Sequence, residues 1–227
     1  MSSKKTPLED KIHGKKLTGG RKLLAICGLG AAISAAGLPP KEANAELYCY
    51  PDMFNPYVEH CTAAIDTSII YSEAESVTQN ASQWCWAASI EMVFAYYGHD
   101  VSQDRIVQNT WGGLVDYPGS PWQIMQNLNK EWTDNNGDTF QAQGDSYSAS
   151  VYAAAHDLAS DHPLIIGAFG HATVLTSMSY ARDVMTGAWV MESATVLDPW
   201  PGRGERFVSA YEWTSINFAA RVRAEAF

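Results

Sequence analysis

The chain has 227 residues, 46% of them hydrophobic, with 8 Trp and 11 Tyr. That is enough apolar material for one globular domain with a sizeable core, and it excludes an intrinsically disordered chain. With 15 basic and 25 acidic residues the formal charge is −10, a balance that argues against nucleic acid and anionic membrane surfaces as partners.

The first 45 residues read as a secretory signal peptide. Lys4, Lys5, Lys11, Lys15, Lys16, Arg21 and Lys22 form a basic start, and Leu23 to Leu38 is an apolar run rich in Ala, Gly, Leu and Ile. Ala43-Asn44-Ala45 then places small residues where a signal peptidase reads them, so cleavage is predicted after Ala45. A retained anchor fits less well, because the apolar run is short for a membrane span. The leader takes 8 basic and 3 acidic residues with it, leaving 7 against 22. The mature protein is therefore expected to be acidic, secreted or periplasmic, and without a membrane partner.

Cys27 leaves with the leader, so three cysteines remain: Cys49, Cys61 and Cys85. In an oxidising compartment a spare pair closes. Cys49 and Cys61 flank a turn-rich stretch (Tyr50-Pro51-Asp52, Asn55-Pro56), which predicts a Cys49–Cys61 disulfide. Adjacent His60-Cys61 with a distant Cys49 is a poor zinc pattern, and neither metal nor cofactor is expected. Residues 46–78 form either a strap held by this disulfide or a short removable pro-segment. Cys85 is left as the odd thiol, a residue either paired between molecules or reactive.

From Trp86 the apolar residues fall at Trp86, Ile90, Val93, Phe94 and Tyr97, a helical spacing closed by Gly98 as C-terminal cap. Cys85 stands at the start of this helix, where unpaired backbone N–H groups and the macrodipole favour a thiolate. Taken alone, Trp84-Cys85-Trp86 fits equally well a small buried residue between two tryptophans. Six residues upstream, the Gln79 side chain can aim an N–H at the oxygen of a tetrahedral intermediate, beside the backbone N–H of Cys85. His99, just past the cap, is expected to be solvated.

Further helices are predicted from Ser102 to Trp111, from Ser120-Pro121 through Leu128, and over Val151 to Ala159, with Ser at the caps and Pro at a first position. Asn135-Asn136-Gly137-Asp138 marks an exposed loop. Leu164 to Phe169 reads as a buried strand, Gly170 as a tight turn, and His171 to Met178 as the next strand. His171 thus sits at the mouth of a hairpin, both fixed and accessible, whereas His156 and His162 read as surface residues. A third strand, Ala188 to Leu197, ends in Asp198, with Pro199 stopping the ladder behind it. A carboxylate there can accept the imidazole N–H, fix the tautomer and stabilise the imidazolium. Glu192 and Asp183 are rivals on the same hairpin. Helices first and strands later is the order of an α+β domain.

These residues carry a resemblance. Gln79, then Cys85 six residues on at a helix start, then Gly170-His171-Ala172, then Val196-Leu197-Asp198-Pro199, resemble a papain-like cysteine peptidase. The stretch is most similar to the compact bacterial branch, of the staphopain and AvrRpt type or the bacteriocin-processing type. The resemblance spans about 79 to 202, within an expected catalytic domain over 79–227. It implies a helical half packed on an antiparallel sheet, with the active site in the cleft between them. In that cleft Cys85 is the nucleophile, His171 the base and acid, Asp198 the orienter and Gln79 the oxyanion residue. Asp198 departs from the Asn of the plant-type enzymes, and the approach to Cys85 lacks their Gly-Ser-Cys-Gly string. The implied activity is hydrolysis of a protein or peptide through a thioester. Two alternatives are deamidation or transamidation of a protein glutamine with the same residues, and a papain-like binding domain without turnover.

Overall fold

The computed structural model describes residues 45–226. The leader expected over 1–45 falls outside the described residues except for Ala45. The fold is α+β, with nine strands in one antiparallel sheet and six helices among the described residues, consistent with the papain-like architecture expected. Among the described residues no helix is long and apolar enough to cross a membrane.

The chain opens with a hairpin, β1 (Glu46–Pro51) and β2 (Val58–Ala64). Cys49 and Cys61 face each other across it and form the expected disulfide, which consumes both thiols of the rejected zinc set. The hairpin is part of the sheet. β2 pairs with β6 (His171–Asp183) from Val58↔Asp183 to Ala64↔Ser177. Ala63, Ile65 and Ile70 then enter the core, Ile70 from the short helix α1 (Thr67–Glu73). Helices do not simply precede strands, because among the described residues the first two strands of the sheet come before every helix.

Next comes α2 (Cys85–Tyr96), the most buried helix, with Trp86, Ile90, Val93 and Phe94 inside. Its end is the predicted cap: Gly98 has φ of 85°, and the N–H of His99 bonds back to the carbonyl of Phe94, the pattern that glycine permits without Cβ strain. His99 is buried, against the expectation of a solvated residue. Its ring stacks flat on Phe140 at 3.8 Å, so burial follows from a partner 41 positions away that local sequence does not reveal.

Helices α3 (Gln103–Trp111), α4 (Pro121–Asn127) and α5 (Val151–Ala159) lie where the caps predicted them. Between α4 and α5, strands β3 (Glu131–Thr133) and β4 (Thr139–Tyr147) flank the exposed Asn135–Asp138 turn. Strand β5 (Leu164–Ala168) lies between β6 and the last strand, β9 (Ile216–Ala226), and its near-continuous apolar run matches that central position. β7 (Trp189–Asp198) pairs with β6 on one side and with β8 (Gly204–Phe207) on the other, and α6 (Ala210–Thr214) leads into β9. α2 packs on β6, and α5 on β2 and β6. This sets the N-terminus of the most buried helix against the start of the longest strand.

Candidate active site

Cys85 begins α2, and the bonds around it explain its placement. Both flanking tryptophans reach the 112–120 segment: the indole N–H of Trp84 donates to the carbonyl of Val115 at 2.9 Å, and that of Trp86 to Tyr117 at 3.2 Å. Asp116 completes the staple, accepting from Ser82 Oγ and the Gln83 N–H, both at 2.7 Å. Gly119 lies flat on the Trp86 ring, so close that a Cβ would sit 2.5 Å from it. Cys85 is half-buried, and it is the free cysteine among the described residues.

The facing wall comes from the β5–β6 turn. Ala168 pairs with His171, so only Phe169 and Gly170 bridge the strands, with φ of 54° and 74°. Both values are positive, as a two-residue hairpin of the right twist requires. Phenylalanine in that region is strained. Its ring is 60% exposed and stacks on Tyr211 at 5.2 Å.

Beside His171, at the end of β7 where Leu197 pairs with Val174 of β6, stands Asp198, fully buried. Its Oδ1 lies 2.7 Å from His171 Nε2 and accepts from the Trp200 N–H at 2.9 Å. Its Oδ2 accepts from Arg206 Nε at 2.7 Å and from Arg203 Nη1 at 3.3 Å. Arg206 in turn holds Glu212 with two bonds, at 2.8 and 2.7 Å. With Nε2 taken by Asp198, the other ring nitrogen of His171 is left for the Cys85 side chain.

Charge follows this geometry. Burial pushes the Cys85 thiol up, but hydrogen bonding to His171 and the backbone N–H groups of Ala172 and Trp86 outweigh it, so the thiol ends below its ordinary range. Burial lowers the His171 imidazole, yet its bonds to Asp198 and Cys85 raise it to about 9. Asp198 is disfavoured as a carboxylate by burial and rescued by His171, Arg206 and the Trp200 N–H, which hold it well below the usual range. Each group thus shifts the other toward its charged form, thiolate beside imidazolium.

The rival carboxylates are elsewhere. Glu192 binds His60 at 2.7 Å, and Asp183 accepts the Met185 and Thr186 N–H groups of the β6–β7 turn. His156 is exposed as expected, whereas His162 is half-buried. Two depressions meet at Cys85 and His171. One, of about 340 Å³, has an apolar wall of Pro118, Pro121, Ile124, Ala172 and Phe218. The other, of about 570 Å³, is walled by Phe169, Trp200, Arg203 and Ser209.

Residues 71–220 match the Peptidase_C39 like family. The chain belongs to that family. No curated protein matches it. The Peptidase_C39 like family is of the cysteine-peptidase type, in keeping with the free thiol in the cleft.

Gln79 occupies a more local position in this family member than its spacing predicts. It is 7% exposed, and its backbone N–H donates to the carbonyl of Pro199 at 2.8 Å, tying the loop before Cys85 to the turn after Asp198. Its side-chain Nε2 donates to the carbonyls of Ala81 and Ser82 at 2.9 and 3.0 Å, while Oε1 is buried with no partner among the described residues. Exchanging the amide atoms would set an oxygen against two carbonyls, so this orientation is the chemically sound one. Both N–H bonds of the amide are committed, and a role toward an oxyanion requires one to be released. Sequence reasoning missed Asp116, Gly119, Arg203, Arg206 and Glu212. None stands in a local pattern of periodicity or spacing that would have singled it out.

Proposed function

We propose that this protein is an exported cysteine peptidase of the papain-like compact bacterial branch, cleaving peptide bonds by acyl transfer through Cys85, His171 and Asp198. The observation that carries this reading is His171 Nε2 held 2.7 Å from buried Asp198 in the same depressions that Cys85 lines, with the thiol lowered and the imidazole raised by one another. The Cys85 thiolate attacks the carbonyl carbon of the scissile bond, and the carbonyl electron pair moves onto oxygen. The backbone N–H of Cys85 stabilises that oxyanion, joined by a Gln79 N–H freed from its own loop. The His171 imidazolium gives its proton to the leaving amine, and the tetrahedral intermediate collapses to a thioester. Neutral His171 then takes a proton from water, which attacks the thioester and frees the thiol. Asp198 keeps the ring in one tautomer throughout.

Residues 1–45 act as a leader removed on export, 46–78 as a strap and 79–227 as the catalytic domain. The strap is retained rather than excised, a reading supported by β2 pairing with β6 and by the burial of Ala63, Ile65 and Ile70. Export is supported by the Cys49–Cys61 disulfide. The substrate is a protein or peptide.

The test is alkylation of the mature protein by iodoacetamide from pH 5 to 9, with the modified residue mapped by mass spectrometry, beside digestion of a peptide library. Rapid reaction at Cys85 that slows in His171→Ala, together with library cleavage, is the expected result. A Cys85 whose reactivity ignores His171 overturns it. Reactive Cys85 with ammonia released from protein glutamine, and no cleavage, replaces peptidase with deamidase.

A further inference from the structure

Two arginines reach Asp198, and they differ in what remains of their bonding capacity. Arg206 is consumed: Nε serves Asp198, Nη1 serves Glu212 and the carbonyl of Phe207, and Nη2 serves Glu212 again. Arg203 contributes one long contact, 3.3 Å from Nη1 to Asp198 Oδ2. Its Nε and Nη2 have no partner among the described residues, its side chain is 54% exposed, and it lies beside the Trp200 ring at 5.8 Å. It lines the same depression as Cys85 and His171.

The backbone fixes where the Arg203 side chain leaves the turn. Asp198 Oδ1 accepts the Trp200 N–H and the Trp200 carbonyl accepts the Arg203 N–H, each at 2.9 Å. Gly202 and Gly204, at φ of 81° and 52°, close the turn on either side. Arg203 is thereby placed with one long bond to Asp198 and with Nε and Nη2 left open, which lowers the ordering cost of binding a planar anion. The acidic groups nearby are spoken for. Asp198 is shared by His171 and Arg206, Glu212 is held by Arg206, and Glu205 hydrogen-bonds Tyr71. In a mature chain with 22 acidic and 7 basic residues, a cation with open donors beside the thiol has one evident complement, an anionic group on the substrate.

We propose that Arg203 binds a carboxylate of the substrate within a few residues of the scissile bond, on the Trp200 side of the cleft. The site therefore selects acidic peptides over neutral ones. This rests on the peptidase reading for its substrate class, though the carboxylate site itself does not. The carboxylate is either an Asp or Glu side chain or the free C-terminus of the peptide.

The first arm needs no turnover: the rates at which iodoacetate and iodoacetamide alkylate Cys85 at low ionic strength. The two reagents differ by a carboxylate. The expected result is an iodoacetate-to-iodoacetamide ratio that falls about 5-fold or more in Arg203→Gln and is largely restored in Arg203→Lys. A ratio unmoved by Arg203→Gln overturns the proposal. The second arm takes a peptide cleaved by the wild type, made with Glu or Gln on either side of the cut and with a free or amidated C-terminus. A preference for Glu in both terminal forms assigns a side-chain carboxylate, and a preference for the free terminus assigns the chain end. Arg203→Glu should reverse either preference toward Lys-containing peptides. Unchanged preferences in Arg203→Glu overturn the proposal and leave the peptidase reading intact. An Arg203-dependent alkylation ratio with no peptide cleaved does the reverse.

Discussion

On the helical wall of the cleft, Cys85 is positioned mainly by packing and uncharged donors: two indole N–H bonds to the 112–120 segment, the close contact of Gly119 on Trp86, and the start of α2, with Asp116 holding Ser82 and Gln83. On the sheet wall, His171 is positioned by charges: Asp198, then Arg206, then Glu212. The first wall depends chiefly on shape, and its carboxylate, Asp116, is held below the ordinary range by its bonds to Ser82 and Gln83. The second depends on ionisation and carries the pH response. The difference teaches that a nucleophile needs a place, which packing supplies, whereas its base needs a pKa, which only neighbouring charges supply.

Removing the contact between the walls has the largest effect. Cys85→Ala or His171→Ala should each lower peptide hydrolysis by ~10³-fold or more, and the double variant hardly further, since the two act as one unit. Additive losses in single-turnover assays would separate them.

Asp198→Asn should cut kcat/KM about 10–100-fold near neutral pH and move the alkaline limb of the pH profile downward. The sign follows from His171. Its pKa is raised to about 9, so the imidazolium is present below that pH and is lost as pH rises through it. Without the carboxylate the limb retreats toward the ordinary imidazole range. A limb that stays near 9 would place the charge control elsewhere.

Gly119→Ala tests the helical wall. The added Cβ meets the Trp86 ring at 2.5 Å, so Trp86 or the 112–120 segment must shift. A cost of ~1–3 kcal/mol is expected in chemical denaturation. Activity should fall about 10-fold with the alkaline limb unmoved, because no charge is touched. Glu212→Gln is the mirror case and the smallest effect. Arg206, released from Glu212, neutralises Asp198 more fully, so kcat/KM should fall about 2–5-fold and the limb should shift down slightly, with little change in melting temperature.

Chemistry that depends on neighbouring residues in the chain is legible in the amino-acid order alone. Helix spacing and the Gly98 cap locate α2 and put Cys85 at its start. Gly170 and the apolar run preceding it mark the hairpin of His171, and Pro199 marks the strand end at Asp198. The Cys49–Cys61 pair follows from a turn and from a spare pair of thiols in an oxidising compartment. What stays hidden depends on residues far apart in sequence. β1 and β2 read as a strap because a hairpin at the chain start declares itself as part of a sheet only when β6 accepts it 119 residues from Cys61, at Tyr180. His99 is buried by Phe140. Gln79, placed by spacing, has its amide turned into its own loop by Ala81 and Ser82.

By itself, then, the sequence determined the local elements and which candidate side chains they carry, since caps, turns and periodicity act over a few positions. Tertiary structure alone decided that Asp198, not Glu192 or Asp183, meets His171, and that Arg206 is spent while Arg203 keeps open donors. Those outcomes depend on distances of a few ångströms between strand ends, and pairing energy falls off too steeply with distance for spacing along the chain to predict it.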